Sequence, residues 1–311
     1  MSMQIASAPC CWGVDDVNNP NLPPWQKVLD EAAQAGYQGM ELGPYGYLPL
    51  AQGRLGEMLE ERGLKVVAGT IFDDLVDPAN RYSLIRQTHE ICTFLKQLPE
   101  LPSQPGKDYP APYLVLIDHV HDERSLYAGH SDKAPRLDNE QWDTLMDHIR
   151  IIAELASREY GIRAVIHPHA GGYIEFEDEI LQLMEVISYD TAGLCLDTGH
   201  LYYSGMDPVT WIRDHADRID YLHFKDIEPK VFENVMASQV DFFDACARGV
   251  MCPIGEGVID YEAIYQLLQE IGYQGYITIE QERDPRDADG SLADVTASLE
   301  YLKRRGFQNE F

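Results

Sequence analysis

The chain has 311 residues, with 24 Lys and Arg against 52 Asp and Glu, so its formal net charge at pH 7 is −28. A composition that is 45% hydrophobic and 24% charged is typical of a folded protein and excludes a disordered or fibrous chain. The strong negative charge repels polyanions, which argues against nucleic acid or an anionic membrane surface as a partner.

The N-terminal stretch and the cysteines predict the compartment. MSMQIASAPCCWG has no basic region and no long apolar run, so we expect no signal peptide, and no apolar run in the chain approaches the ~20 residues of a membrane span. The six cysteines form no C-x-x-C pair, which is typical of buried thiols in a reduced, cytoplasmic protein. The composition is also compatible with a homo-oligomer.

Eight short apolar runs alternate with amphipathic segments from one end of the chain to the other. In chain order the runs are IASAPC (5–10), GMELG (39–43), KVVAGTIF (65–72), YLVLIDHV (113–120), RAVIHPH (163–169), AGLCLD (192–197), IDYLHFKD (219–226) and YITIEQE (276–282). Runs of this length that are apolar on both faces are typical of buried strands in a parallel sheet.

Three of the intervening segments carry the start and stop signals of helices. PPWQKVLDEAAQAG begins with proline, places Val28 and Leu29 on one face and stops at Gly36. DPVTWIRDHA opens on Asp207 as N-cap, and DYEAIYQLLQEIG ends at Gly272. Strands and helices therefore alternate as repeated β-α units.

Eight β-α units in a chain somewhat longer than the typical ~250 residues predict a single-domain (β/α)₈ TIM barrel over residues 1–311. A doubly wound sheet is the alternative, but no G-x-G-x-x-G follows the first strand. Two weakly patterned segments, about 121–137 and 227–259, follow the fourth and seventh runs. We expect them to be loop insertions at the C-terminal face of the barrel, where substrate loops belong.

Polar residues fall repeatedly at the C-terminal ends of these runs. They are Glu41, Asp118, His119, His167, His169, Asp197, His200, His223, Lys225, Glu280 and Glu282. A single polar residue at such a position proves little, and Asp197 alone is explained equally well as a helix cap or as a metal ligand. Convergence of at least four strands on one barrel mouth instead predicts a site for one divalent ion, Mn²⁺, Co²⁺, Mg²⁺ or Zn²⁺. The histidines favour the transition metals over Mg²⁺.

Several stretches resemble a known family. IHPHAGG (166–172), LDTGHLYYSG (196–205), HFKDI (223–227), GEGVIDY (255–261) and YITIEQERDP (276–285) resemble the second half of the xylose isomerase-like barrels, which include sugar phosphate isomerases and epimerases. APCCWGVDD (8–16), AGYQGMELGPYGYLP (35–49) and LKVVAGT (64–70) are similar, more narrowly, to the inosose dehydratase branch. The resemblance implies a TIM barrel with a divalent metal at the ends of its last four strands.

The resemblance also implies a ligand set. Asp197, His223 and Glu280 match metal positions of the family. The fifth-strand position departs from the commonest pattern, because many epimerases of the group carry Glu where this chain has His167. A His-x-His stretch, here His167 with His169, is similar to the dehydratase branch instead.

The chemistry implied is metal-assisted proton abstraction next to a carbonyl of a polyhydroxylated ketone. His169 and Glu282 are candidate acid and base groups, because each lies two residues from an implied ligand on the same strand face. Lys225 is expected to neutralise a developing oxyanion or to donate to a leaving hydroxyl, and an ion pair with a neighbouring acid explains it equally well.

Three further residues, Trp12, Glu41 and His200, are expected to bind substrate or to orient the ligands. Three hypotheses then compete for a sugar or cyclitol ligand. The first is an inosose dehydratase-like lyase, the second is a ketose or cyclitol isomerase or epimerase, and the third is a non-catalytic sugar-binding or partner subunit. The lyase is favoured because His167 cannot act as the second carboxylate base of a symmetric epimerase.

Overall fold

A computed structural model describes residues 3–51 and 53–307. Eight parallel strands close into a barrel, and two short strands form a separate antiparallel pair. The strands are β1 (Met3–Ser7), β2 (Gly39–Glu41), β3 (Lys65–Asp73), β4 (Tyr113–Asp118), β5 (Arg163–Ile166), β6 (Gly193–Asp197), β7 (Ile219–Phe224), the paired β8 (Asp226–Ile227) and β9 (Met251–Cys252), and β10 (Gly275–Ile279). β1 pairs with both β2 and β10, which closes the barrel and excludes the doubly wound sheet.

Helices surround the barrel in the order expected of repeated β-α units. They are α1 (Trp25–Ala35), α2 (Arg54–Glu61), α3 (Arg81–Gln97), α4 (Asp122–Ser125), α5 (Asn139–Leu155), α6 (Glu177–Val186), α7 (Thr198–Tyr203), α8 (Pro208–Asp214), α9 (Pro229–Ser238), α10 (Phe242–Ala247), α11 (Tyr261–Glu270) and α12 (Ser291–Arg304). The predicted (β/α)₈ barrel is confirmed. Within the described ranges, no helix has the length and apolar content that a membrane crossing requires.

The predicted start and stop signals of the helices coincide with the observed helix ends. α1 buries Val28 and Leu29 and ends at Gly36, whose φ of 96° lies in the left-handed region that glycine adopts without strain. The carboxylate of Asp207 accepts a hydrogen bond from the backbone N–H of Thr210 at the start of α8. These local signals place each helix against its neighbouring strands.

The barrel interior is filled at its lower levels and becomes polar at the C-terminal end. Val165, Cys195 and Tyr221 belong to the buried cluster inside the barrel. Two residues further on lie Asp197 and His223, which strand alternation places on the same interior face, and His167, which follows the end of β5. The alternation that packs the core therefore also delivers polar side chains to the barrel mouth.

A lysine closes the opposite, N-terminal end of the barrel. Lys107, from the Pro-rich segment before β4, donates a hydrogen bond to the backbone carbonyl of Asp220 and another, 3.1 Å long, to the hydroxyl of Tyr113. Its ammonium also lies 5.1 Å from the ring centroid of Tyr273. Burial disfavours the charged ammonium and lowers the pKa of Lys107 to about 8.

The Lys107→Met substitution is expected to reveal this burial as a pH dependence of stability. The pKa of Lys107 is about 8 in the folded protein and 10.5 when unperturbed, so the cost of burying its charge is fully present below pH 8 and disappears as the pH rises towards 10.5. The free energy of unfolding of the wild type, relative to the variant, should therefore rise by about 2 to 3 kcal/mol between pH 7 and pH 10. Urea unfolding at the two pH values measures this difference.

Lys65→Met provides the matched control, because Lys65 lies at the same end of the barrel and donates to the carbonyl of Glu100 at the surface. Its stability difference from the wild type should stay nearly constant over the same pH range. A constant difference for Lys107→Met as well would contradict a buried, perturbed ammonium.

The two segments predicted as insertions follow β4 and β7. The segment 121–137 contains α4, whereas 227–259 holds α9, α10 and the second strand of the small sheet, so it has more regular structure than its sequence pattern indicates. The hydroxyl of Ser125 in the first segment donates to the carboxylate of Asp241 in the second. It also accepts a hydrogen bond from the backbone N–H of Phe242. The two segments are thus joined beside the barrel mouth.

Candidate active site

A cavity of about 680 Å³ opens at the C-terminal ends of the strands. Most of its polar lining comes from the ends of strands, and its apolar lining includes residues from the end of β3 and from α10. The polar residues include Glu41, His119, His167, His169, His223, Lys225, Glu280 and Glu282, and the apolar ones include Phe72, Phe242 and Phe243. The volume is within the usual range for a small-molecule site.

Four of the predicted residues meet in the floor of this cavity. His167, Asp197, His223 and Glu280 each offer one ligand atom, and these four atoms all lie within 4.8 Å of one another. They lie at or next to the C-terminal ends of β5, β6, β7 and β10, four strands that are neighbours in the barrel. Two imidazoles and two carboxylates at this spacing fit a divalent metal ion.

Asp197 uses its two carboxylate oxygens differently. Oδ1 accepts a 2.8 Å hydrogen bond from the backbone N–H of His200 and so caps α7. Oδ2 accepts from Nζ of Lys225 at 2.8 Å. Burial opposes ionisation of Asp197, but the charge of Lys225 outweighs it, so its pKa lies well below the ordinary value. The two explanations of this residue are therefore compatible: one oxygen caps a helix while the other faces the cluster.

His223 is oriented by a buried carboxylate. Its Nε2 lies 2.8 Å from Oε1 of Glu41, which also accepts from the hydroxyl of Tyr221. Since a carboxylate accepts, Nε2 donates to Glu41, and Nδ1, 3.0 Å from Oε2 of Glu280, is the nitrogen that faces the cluster. A carboxylate behind a histidine in this way is a common arrangement around protein-bound metals.

His167 is buried without satisfying its ring nitrogens. Its residue exposure is 1%, and neither nitrogen finds a hydrogen-bond partner in residues 3–51 or 53–307. The nearest charged contact joins Nε2 to Oδ2 of Asp197 at 3.6 Å. Buried polar atoms without partners are rare, and an absent ion is one of their ordinary explanations.

Lys225 lies among three carboxylates. Its Nζ contacts Asp197, Oε1 of Glu282 at 3.1 Å, and the carboxylate of Glu280. Burial alone would lower the pKa of Lys225, but these negative charges raise it well above the ordinary value, so the side chain is an ammonium ion at neutral pH. Lys225 therefore both forms ion pairs and projects into the cavity.

His169 has a free basic nitrogen. Its Nδ1 lies 2.9 Å from the backbone carbonyl oxygen of Ala170, which only accepts, so Nδ1 carries the proton and the lone pair is at Nε2. Burial, together with the neighbouring His200 and His167, holds the pKa of His169 well below its ordinary value. The ring is thus a neutral imidazole with an available lone pair.

His200 has the opposite tautomer. Its Nδ1 accepts a 3.1 Å hydrogen bond from the backbone N–H of Ala170. Burial, reinforced by Lys225, lowers the pKa of His200 well below its ordinary value, so the ring is neutral and its single proton is on Nε2. That nitrogen lies 3.7 Å from Oε1 of Glu282. His200 therefore presents a donor towards Glu282.

Trp12 does not join the other predicted residues. It ends a short 3₁₀ helix, Pro9–Trp12, that turns its indole into the core, where the residue is 0% exposed and Nε1 donates to Oε2 of Glu31 at 2.6 Å. It is absent from the cavity lining, so the expectation of a substrate contact does not match its position. The same segment contributes Cys10 and Asp15 to the cavity instead.

The residue after Lys225 holds a neighbouring loop. Asp226 accepts backbone hydrogen bonds from Gly255, Gly257 and Ile259 in the GEGVIDY motif. A Cβ at Gly257 would approach Oδ1 of Asp226 to 2.2 Å, so only glycine fits there. Gly257 of GEGVIDY is thus explained by the close approach of its backbone to the carboxylate of Asp226.

Comparison with known proteins supports the fold and identifies the family. Residues 29–305 match the family model described as the xylose isomerase-like TIM barrel. The chain is 32% identical to the rhizopine catabolism protein MocC of Rhizobium meliloti, over 93% of this chain and 84% of the relative. It is also 32% identical to the inosose dehydratase of Geobacillus kaustophilus, over 91% and 88% of the two chains.

Among solved structures, that of the IolI protein with a bound zinc atom has the same fold. Its TM-score is 0.68 at 15% sequence identity, covering 98% of this chain and 100% of the other. The family model alone spans most of the sequence, from α1 to the end of α12. The chain therefore belongs to the xylose isomerase-like TIM-barrel family.

Proposed function

We propose that this protein is a metal-dependent dehydratase that removes water from a keto-cyclitol, such as an inosose, or from a similar keto-polyol. The observation that carries the proposal is the unequal set of groups around the cluster: a neutral imidazole at His169, a carboxylate at Glu282 and an ammonium at Lys225. The inosose dehydratases among its relatives support the choice of substrate class.

The metal would be held by His167, Asp197, His223 and Glu280. The unpartnered nitrogens of the buried His167 fit this role, because an ion would supply the contact that they lack. When bound, a divalent ion polarises the carbonyl and stabilises negative charge on its oxygen. Two imidazoles favour Mn²⁺, Co²⁺ or Zn²⁺ over Mg²⁺.

The protein groups then divide the elimination between them. His169 takes the proton from the carbon next to the carbonyl through its free Nε2, which becomes N–H. The electron pair of that C–H bond forms the new C=C bond as the β-hydroxyl departs. Lys225 donates the proton that converts the departing hydroxide to water, and Glu282 accepts from Lys225 and keeps it in place.

A symmetric epimerase requires different groups. It needs two bases of similar strength on opposite faces of one carbon, and metal-bound carboxylates meet that need. Here the fifth-strand position is His167, whose lone pair would be committed to the ion. Elimination needs only one base and one proton donor, which this set of residues supplies.

Incubating the metal-loaded protein with inosose is expected to release one water and form an α,β-unsaturated ketone, the enol of a 1,2-diketone, that absorbs in the ultraviolet. Absorbance should rise with time, and the rise should stop when a chelator is added. Mass spectrometry should find a product 18 Da lighter than the substrate, the mass of one water. An isomeric ketone of unchanged mass would contradict dehydration and favour the isomerase or epimerase, whereas no turnover would favour a binding subunit.

The proposed compartment is the cytoplasm. All six cysteines are buried as free thiols, which is typical of a reducing environment. Small polar sugars and cyclitols are the ligands that the relatives' names indicate, and the cavity provides the mixture of polar groups and aromatic walls that suits them.

A further inference from the structure

A second group of possible ligands lies beside the cavity, outside the four residues described above. Asp74 follows β3, and His119 and His121 follow β4, and one ligand atom from each lies within 4.8 Å of the others. His119 also lines the cavity. The proposed dehydration uses none of these three residues.

The tautomer of His121 suits a metal ligand. Its Nε2 lies 3.0 and 3.1 Å from the two carboxylate oxygens of Asp118, which also accept from the backbone N–H groups of Leu75 and Tyr173. A carboxylate fixed in this way receives the Nε2 proton, so the lone pair of the neutral His121 ring is at Nδ1. In the part of the chain that the structure describes, Nδ1 makes no hydrogen bond, although the residue is only 8% exposed.

Asp74 and His119 each also offer an atom that makes no hydrogen bond within residues 3–51 and 53–307. Oδ1 of Asp74 accepts from the backbone N–H groups of Val76 and Asp77, at 2.8 and 2.9 Å. Oδ2 lies 3.9 Å from Nε2 of His119. The side chains of His119 and Asp74 are 36% and 32% exposed, so an ion from solvent can reach them.

A third cluster fails this test. His169, His200 and Glu282 also place ligand atoms within 4.8 Å of one another. However, Nδ1 of His200 accepts from the backbone N–H of Ala170, so its Nε2 carries a proton and has no lone pair for an ion.

We propose that Asp74, His119 and His121 bind a second divalent transition-metal ion at the rim of the cavity. Two imidazoles and one carboxylate are typical ligands of Zn²⁺ and Co²⁺, and three protein ligands leave a coordination position for water or a ligand hydroxyl. The ion would connect the loop after β3 to the loop after β4. This inference does not depend on which reaction the protein catalyses.

Titration of the metal-free protein with Co²⁺ at pH 8, followed by visible absorption and by equilibrium dialysis, tests the rim site. We expect two Co²⁺ ions per chain in the wild type. Asp74→Asn keeps an oxygen to accept from Val76 and Asp77 but loses the anionic ligand, and His119→Gln removes one imidazole. Each substitution should lower the affinity for one of the two ions by at least about 10-fold and leave the affinity for the other ion unchanged.

Two further variants make the outcome unambiguous. Asp197→Asn should lower the affinity for the ion in the cavity floor and leave the rim ion bound. Loss of binding at one site can therefore be distinguished from loss of binding at the other. His89→Gln changes a surface histidine outside both clusters, 3.8 Å from Glu159, and should leave both ions bound. Binding that is identical in the wild type, Asp74→Asn and His119→Gln would overturn the rim site.

Discussion

Replacing Asp197 with asparagine is expected to remove the ion from the cavity floor and to lower turnover by about 10³-fold or more. The amide oxygen of asparagine can still accept from the backbone N–H of His200, so the cap of α7 is retained. The negative charge facing the cluster is lost, and Lys225 loses one of its three carboxylate partners. A metal ion that stabilises developing charge contributes several kcal/mol, and about 4 kcal/mol corresponds to 10³-fold in rate.

Metal content per chain and initial rates with inosose measure this prediction. Glu280→Gln should behave in the same way, because it removes the other carboxylate of the set. Glu256→Gln is the matched control, since it neutralises an exposed carboxylate in the loop held by Asp226 and should change neither quantity. If Asp197→Asn and Glu280→Gln bind the ion as tightly as the wild type, the ligand assignment is wrong.

Replacing His169 with asparagine is expected to lower turnover by roughly 10²- to 10⁴-fold while leaving metal content unchanged. The range is that of a general base removed from an enzyme, and His169 offers the free lone pair for this step. The asparagine amide is able to donate to the carbonyl of Ala170 in place of Nδ1, so the local loop should be preserved.

The comparison of rate with metal content separates a base from a ligand. His89→Asn, a substitution at the surface of α3, is expected to leave the rate unchanged. Turnover of His169→Asn within a factor of about 3 of the wild type would exclude this residue as the base. Loss of the metal together with the rate would indicate instead that His169 holds the ion.

The eight strands and their order could be predicted from the sequence because each is a short apolar run bounded by helix signals. The strand ends were less predictable. The fifth apolar run spans 163–169, but β5 ends at Ile166, so His167 and His169 lie in the following loop. Both still reach the cavity region, because the loop is held by buried hydrogen bonds such as that from the N–H of His169 to the carbonyl of Ile174.

The positions that sequence did not predict depend on packing between distant segments. Trp12 follows a strand, yet a single 3₁₀ turn rotates it into the core against Glu31, 19 residues away in sequence. Phe242 contributes to the cavity because the segment after β7 folds back over the barrel mouth and contacts Ser125. Neither the rotation nor the fold-back has a local sequence signal. The only hint of the cavity contact in the sequence is an aromatic residue, Phe242, in an otherwise weakly patterned segment.

The small antiparallel sheet has a consequence for how such a barrel can change its substrate range. β8 pairs with β9 through Asp226 with Cys252 and Ile227 with Met251, and the N–H of Glu228 donates to the carbonyl of Val250. Residues 228–250 therefore leave and rejoin the barrel at adjacent points. Because the entropy of closing a loop changes only slowly with its length, this stretch can change in length or sequence wherever its buried contacts with Ala170 and Tyr203 are replaced. Phe242 lies within residues 228–250, whereas Lys225 and Glu280 lie outside them. Changes in this stretch can therefore alter which ligand the cavity accepts while the reactive groups keep their positions.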